Sequence, residues 1–136
     1  MIEYRIGCSE ILPGQLEGFC AGWENPLTGE EHLKALKNSR HVVLAFDTEK
    51  NRVVGFINAL GDGVRFAFIP MLEVLPEYRK RGIGSHLVKV MMGLLDEVGC
   101  IDLTCDAYMQ GFYDRFGMEK STGMIVRRGL KKEEKK

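Results

Sequence analysis

The sequence predicts a mixed α/β domain in which a mostly antiparallel sheet is completed by a βαβ unit. Three observations carry that expectation. Residues 41–47 and 52–60 are β-rich runs separated by a polar turn, and they read as an antiparallel hairpin. A long apolar stretch, 64–75, extends the meander after the Gly61-Asp62-Gly63 turn. That stretch runs straight into a basic, glycine-bearing turn and a helix. Behind the helix lies another apolar run, 100–105, most simply parallel to the strand before it.

The remaining elements follow in chain order. Residues 3–8 suit a short opening strand. Pro13 suits the first turn of a helix, and Leu16, Phe19, Cys20 and Trp23 then recur at helical spacing until Asn25-Pro26 breaks the stripe. Thr28 and Glu31 form a capping box, so a second helix is expected over 29–38. In the helix after Gly82, the residues Ile83, Leu87, Val90, Met91, Leu94 and Val98 share one face, and Gly99 stops it. A short helix is expected over 110–116, ending at Gly117. Residues 122–128 predict a last strand, with Met124-Ile125-Val126 apolar at its centre. Phe66 and Phe68 alternate on the long strand and are expected to share a core-facing side. Residues 131–136 are all charged and are expected to be disordered, leaving 1–130 as one domain.

Composition narrows the function classes. At 136 residues the chain suits a single domain with a single core. Hydrophobic residues make up 45% and charged residues 28%, the balance of an ordinary globular protein. Nineteen basic against nineteen acidic residues give zero formal net charge, which weighs against nucleic acid as a partner. No apolar run approaches the roughly 20 residues of a membrane span and no signal-peptide core opens the chain, so a cytoplasmic protein without membrane contact is expected. Cys8, Cys20, Cys100 and Cys105 lack C-x-x-C spacing, and His32, His41 and His86 are scattered. That pattern predicts reduced cysteines and no metal site.

The richest segment is Arg79-Lys80-Arg81-Gly82-Ile83-Gly84-Ser85. A strand ending Val74-Leu75-Pro76-Glu77-Tyr78 enters it and a helix leaves it. Glycines without Cβ let backbone N–H groups close on a phosphate oxygen, and the helix adds unpaired donors and its positive dipole end. A Walker A loop is absent. A dinucleotide fingerprint fails too, because Leu87 stands where a third glycine is needed. What remains is the pattern R-x-x-G-x-G.

This segment resembles motif A of the GCN5-related N-acetyltransferase (GNAT) superfamily, whose loop holds the pyrophosphate of acetyl-coenzyme A. A second segment, Gly111-Phe112-Tyr113-Asp114-Arg115-Phe116-Gly117-Met118, is similar to the family's A-x-x-F-Y-E-K-x-G-F, with Met118 in place of the final aromatic. The order of elements is that of the GNAT fold, so the resemblance covers nearly the whole chain. It implies an acetyl-coenzyme A-dependent N-acetyltransferase acting on a small-molecule or peptide amine by direct attack in a ternary complex. A GNAT-fold module that holds coenzyme A without catalysis, for sensing or partner contact, is the alternative.

The resemblance also implies roles for particular residues. Leu72, Glu73 and Val74 would offer backbone to the pantetheine arm, while Arg79, Arg81, Gly82, Gly84 and Ser85 would line the pyrophosphate. Tyr113 aligns with the tyrosine that protonates the departing thiolate, a task suited to a phenol. Asp106 stands where the family often has asparagine; it lacks that residue's amide donor, and facing the acceptor amine is the role expected of it instead. Met109 replaces the usual small alanine. Glu73, a carboxylate in an apolar strand, is costly to bury without a use and is the first choice for the proton acceptor. Asp102 and Asp106 rank behind it. Trp23, the one tryptophan, falls in the region that usually walls the acceptor pocket. Homodimerisation through the apolar last strand is a further expectation.

Overall fold

The computed structural model describes residues 1–128. Its sheet has five strands in the order β1-β2-β3-β4-β5: β1 Ile2–Ile6, β2 His41–Asp47, β3 Arg52–Gly61, β4 Phe66–Val74 and β5 Cys100–Asp102. The first four are antiparallel neighbours, and β5 pairs parallel with β4. The β4–helix–β5 crossover is the expected βαβ unit. The anticipated 131–136 tail lies outside the described residues.

Central strands β2 and β3 are apolar almost throughout because the sheet is covered on both faces. On one face lies α1 (Gly29–Lys37), opened by the predicted capping box: Glu31 N–H donates to Thr28 Oγ1 at 3.1 Å, and Thr28 N–H to Glu31 Oε1 at 3.1 Å. On the other lies α2 (Ile83–Leu94), which buries Ile83, Leu87, Val88 and Met91. It sits directly on Gly55, where a Cβ would meet Ile83 Cγ2 and Leu87 Cδ1 at 3.3 Å. The absence of a side chain at Gly55 therefore sets how closely the start of α2 approaches the sheet.

Three expectations are corrected. The stripe from Leu16 to Trp23 is no helix. A single 3-10 turn, Pro13–Leu16, is followed by turns in which Gly18, Cys20 and Gly22 all have positive φ, a conformation no right-handed helix accepts. Leu16, Phe19 and Cys20 are nonetheless buried, so the periodicity located core residues correctly. Phe66 and Phe68 do share a side, but it faces solvent, at 55% and 40% exposure, while Ala67 and Ile69 take the core. Residues 122–128 form no strand; they are exposed, with Met124 fully so.

The loop replacing the expected first helix is fastened to α1 by very close packing. A Cβ at Gly29 would lie 2.1 Å from the Pro13 carbonyl oxygen. Gly29→Ala must push the 3-10 turn off the helix, and a loss of about 3 kcal/mol in stability is expected, read as a lowered urea midpoint.

Candidate active site

β4 and β5 stay paired for only three residues, Phe66–Phe68 against Cys100–Asp102. Beyond that point β4 keeps β3 along one side, from Met71 to Val74. Among the described residues no strand borders its other side there. The parallel pair thus splays into a cleft with a bare backbone edge on β4, running towards the turn after Val74.

That turn closes the cleft at one end. Lys80 and Gly82 both have left-handed backbone, with φ of 63° and 81°, which folds the chain tightly before α2. Gly82 is the N-cap of α2 and supplies no side-chain cap, so the first-turn N–H groups of the helix remain for a ligand. A Cβ on Gly82 would touch nothing, which leaves the approach to these donors open. The basic side chains are partly engaged. Arg79 Nε donates to the Val74 carbonyl at 2.9 Å, buckling the turn onto the end of β4. Arg81 donates to the Glu77 carbonyl at 3.1 Å and leans over Tyr78. Tyr78 in turn donates to Asp47 at 2.5 Å, and this bond holds the Asp47 carboxyl below its ordinary range.

The far wall is α3 (Gln110–Asp114), entered through a 3-10 turn, Ala107–Met109. Phe112 Cζ and Val74 Cγ2 both lie 3.9 Å from where a Cβ on Gly84 would stand, so α3, β4 and the anion turn meet at that glycine. Tyr113 is buried at 9% exposure, and desolvation, with a smaller contribution from Cys105, pushes its phenol up to about 12. Arg115 was not singled out in the sequence. Its guanidinium donates to Ser85 Oγ at 3.1 Å and lies over Phe112 and Phe116, placing a cation beside the start of α2. Its place in the Phe-Tyr-Asp-Arg segment was the available signal.

Glu73 and Val74 point to opposite faces of the sheet. The Glu73 carboxylate accepts the Cys20 N–H through both oxygens, at 2.9 and 3.2 Å. That contact holds Cys20 at φ 60° and draws the loop over the strand. Trp23 belongs to the same loop, its N–H donating to the Cys20 carbonyl at 3.1 Å, and it packs half-buried on the core. Glu73 and Trp23 are therefore brought together. Asp106 is exposed at the entry to the 3-10 turn that leads into α3.

The candidate site is thus a basic, glycine-bearing turn beside a splayed parallel strand pair, with a buried phenol on the opposing helix. Residues 10–118 match the model of the Acetyltransferase (GNAT) family. The chain belongs to that family. It is similar to a candidate acetyltransferase of Deinococcus radiodurans R1, with 37% identity, a TM-score of 0.89, and 93% of this chain and 88% of that one covered. It is also similar to a GNAT-family acetyltransferase of Streptococcus pneumoniae TIGR4, with 33% identity, a TM-score of 0.74 and coverage of 94% and 98%. No curated protein sequence matches the chain. Among the described residues no helix is long and apolar enough to cross a membrane.

Proposed function

We propose that this protein transfers the acetyl group of acetyl-coenzyme A to a primary amine of a small molecule or peptide, by direct attack in a ternary complex. The observation that carries the reading is the cleft: a bare β4 edge ending at free helix N–H donors, with Tyr113 buried on α3, the helix whose Phe112 meets that junction at Gly84. Acetyl-coenzyme A supplies an activated acyl carbon and a thiolate leaving group.

The chain's own residues do the rest. Backbone from Leu72 to Val74 pairs with an extended amide-bearing arm as a neighbouring strand would. The N–H groups at Gly82, Gly84 and Ser85 take a pyrophosphate, joined by Arg115 and by the N–H groups that Arg79 and Arg81 keep free. The acceptor nitrogen forms the new C–N bond as the C–S bond breaks. Tyr113 hands its proton to the sulfur, and Glu73 receives the ammonium proton directly or through water. Because Cys20 N–H fixes its orientation, the Glu73 carboxylate needs no reorganisation to do so. Trp23, on the Glu73 side, borders the acceptor, and Asp106 adds negative charge near the entrance. A cytoplasmic place of action belongs to the same reading, supported by the free thiols of Cys8, Cys100 and Cys105.

The test is release of free thiol from acetyl-coenzyme A against a panel of primary amines. Amine-dependent release is expected. Tight coenzyme A binding without turnover on any amine would instead identify a binding module. Within active protein, Arg115→Ala is expected to raise the KM for acetyl-coenzyme A about tenfold, the worth of one charge-assisted hydrogen bond, with kcat little changed.

A further inference from the structure

Residues 76–82 link β4 to α2 through left-handed backbone at Lys80, a conformation that a non-glycine residue keeps only where its surroundings enforce it. Two side-chain bonds that shape this segment are local: Arg79 to the Val74 carbonyl and Arg81 to the Glu77 carbonyl, at 2.9 and 3.1 Å. They give the turn its form but not its place on the molecule. Among the described residues, one hydrogen bond ties residues 76–82 to a distant part of the chain. It is the 2.5 Å bond from the Tyr78 hydroxyl to Asp47 Oδ2.

Asp47 ends β2 and is buried at 6% exposure. Its Oδ1 accepts the Glu49 and Lys50 N–H groups at 2.9 and 3.2 Å, so the β2–β3 turn sets the carboxylate's direction and leaves Oδ2 for Tyr78. The proposed reaction makes no use of this carboxylate. The hairpin and the anion turn also border a cavity of about 440 Å³, lined by Asp47, Lys50, Arg52, Glu77, Tyr78 and Arg81. Across that gap the hydrogen bond, rather than continuous packing, fixes how the two lie. The Arg81 guanidinium rests 5.1 Å from the centroid of the Tyr78 ring, so the place of Tyr78 passes on to the residue before Gly82.

We propose that Asp47 is a positioning residue for the acyl donor: through Tyr78 it holds the anion turn where the N–H groups of Gly82, Gly84 and Ser85 meet a pyrophosphate. The inference rests on the donor reading given above. Without the bond the turn can leave that arrangement, and donor affinity falls with the fraction of molecules that keep it. Glu73 and Tyr113 are untouched, so a bound donor reacts as in the parent.

Tyr78→Phe removes one hydroxyl and keeps the ring. It is expected to raise the Kd for coenzyme A, measured by calorimetry, and the KM for acetyl-coenzyme A about tenfold. The kcat at saturating donor and the KM for the amine are expected to stay within about twofold of the parent. Asp47→Ala is expected to match it, and Asp47→Asn to fall closer to the parent, since its amide can still donate to the phenol oxygen. The Asp47→Ala/Tyr78→Phe double variant is expected to bind no more weakly than either single, because both remove the same contact. Should Asp47→Ala unfold, Tyr78→Phe and Asp47→Asn carry the test alone. Parent-like coenzyme A affinity in Tyr78→Phe, additive losses in the double variant, or a fall confined to kcat would each overturn the proposal. A parent protein that binds no coenzyme A would overturn the donor reading, and this inference with it.

Discussion

Tyr113→Phe is expected to lower turnover about 100-fold while leaving coenzyme A affinity within a factor of two or so, because a positioned general acid contributes on that scale and the ring stays in place. The phenol occupies a buried site with its ionisation pushed up to about 12, so it remains a proton donor throughout the working range. Two consequences separate this role from simple packing. First, the loss falls on kcat and the thiol-release step, measured by single turnover, rather than on donor binding. Second, the parent enzyme shows no tyrosine-dependent fall in rate up to about pH 10, since deprotonation begins above that range. A phenylalanine variant within threefold of the parent would remove Tyr113 from the chemistry and leave its ring as a wall of the cleft.

Acid is expected to destabilise the fold through His32. This imidazole, 1% exposed on α1, lies between Phe19 and Phe56, with ring centroids 5.4 and 4.4 Å away. Among the described residues neither ring nitrogen has a hydrogen-bond partner of good geometry. Burial lowers its ionisation to about 4 from an ordinary value of 6.5, with only a weak opposing contribution from the Leu16 backbone. The sign follows from proton linkage. The unfolded chain takes up a proton below about 6.5 while the folded chain refuses it until about 4, so stability falls across that window as pH is lowered. The loss from this one group is on the order of 3 kcal/mol by pH 4 and does not grow further below. Urea unfolding of parent and His32→Met between pH 7 and pH 4 checks it. The variant is expected to have the flatter profile and, with two buried unpaired nitrogens gone, to match the parent near pH 7. Parallel profiles would show that the acid response arises elsewhere.

What the sequence disclosed divides along physical lines. The antiparallel hairpin, α1 with its capping box, the anion turn and the α3 segment are specified by local chemistry: β-branched runs, Thr28 with Glu31, and Gly82 before an apolar stripe. These appear where expected, within a residue or two at the ends. Leu16 to Trp23 was misread because apolar spacing reports which residues are buried and not the backbone that buries them. The decisive partner, Glu73, is distant in the chain and captures the Cys20 N–H that a helix would have needed. Phe66 and Phe68 were assigned to the wrong side because alternation shows that two residues share a face but not which face is covered. The 122–128 stretch has the composition of a strand, yet among the described residues it pairs with no strand, because composition alone supplies no partner.

At the site, the anion turn and Tyr113 were visible in the sequence because each sits in a short, dense pattern. The engagement of Arg79 and Arg81 by backbone carbonyls was not, and neither was the ion-like contact of Arg115 with the start of α2. The first depends on how the turn folds back on Val74 and Glu77, the second on how α3 packs against the start of α2, and residue order shows neither. Glu73 stands out in the sequence by its cost in an apolar strand, but its partner, the main-chain amide of Cys20, is distant in the chain and not readable from residue order.

The short pairing of β4 with β5 has a consequence for how such a protein can change over generations. On the donor side of the proposed reaction, recognition would rest on main-chain amides along β4 and at the start of α2, and amides are insensitive to which side chain each residue bears. On the acceptor side of that reading, the lining would come from the loop through Cys20 and Trp23 and from the entry of α3, where side chains would make the contacts. Substitution there can replace one amine with another while the acyl donor stays the same. The chain thus separates a fixed half from a variable half, and the divide runs through a single strand, between the peptide bonds of Leu72 to Val74 and the carboxylate of Glu73.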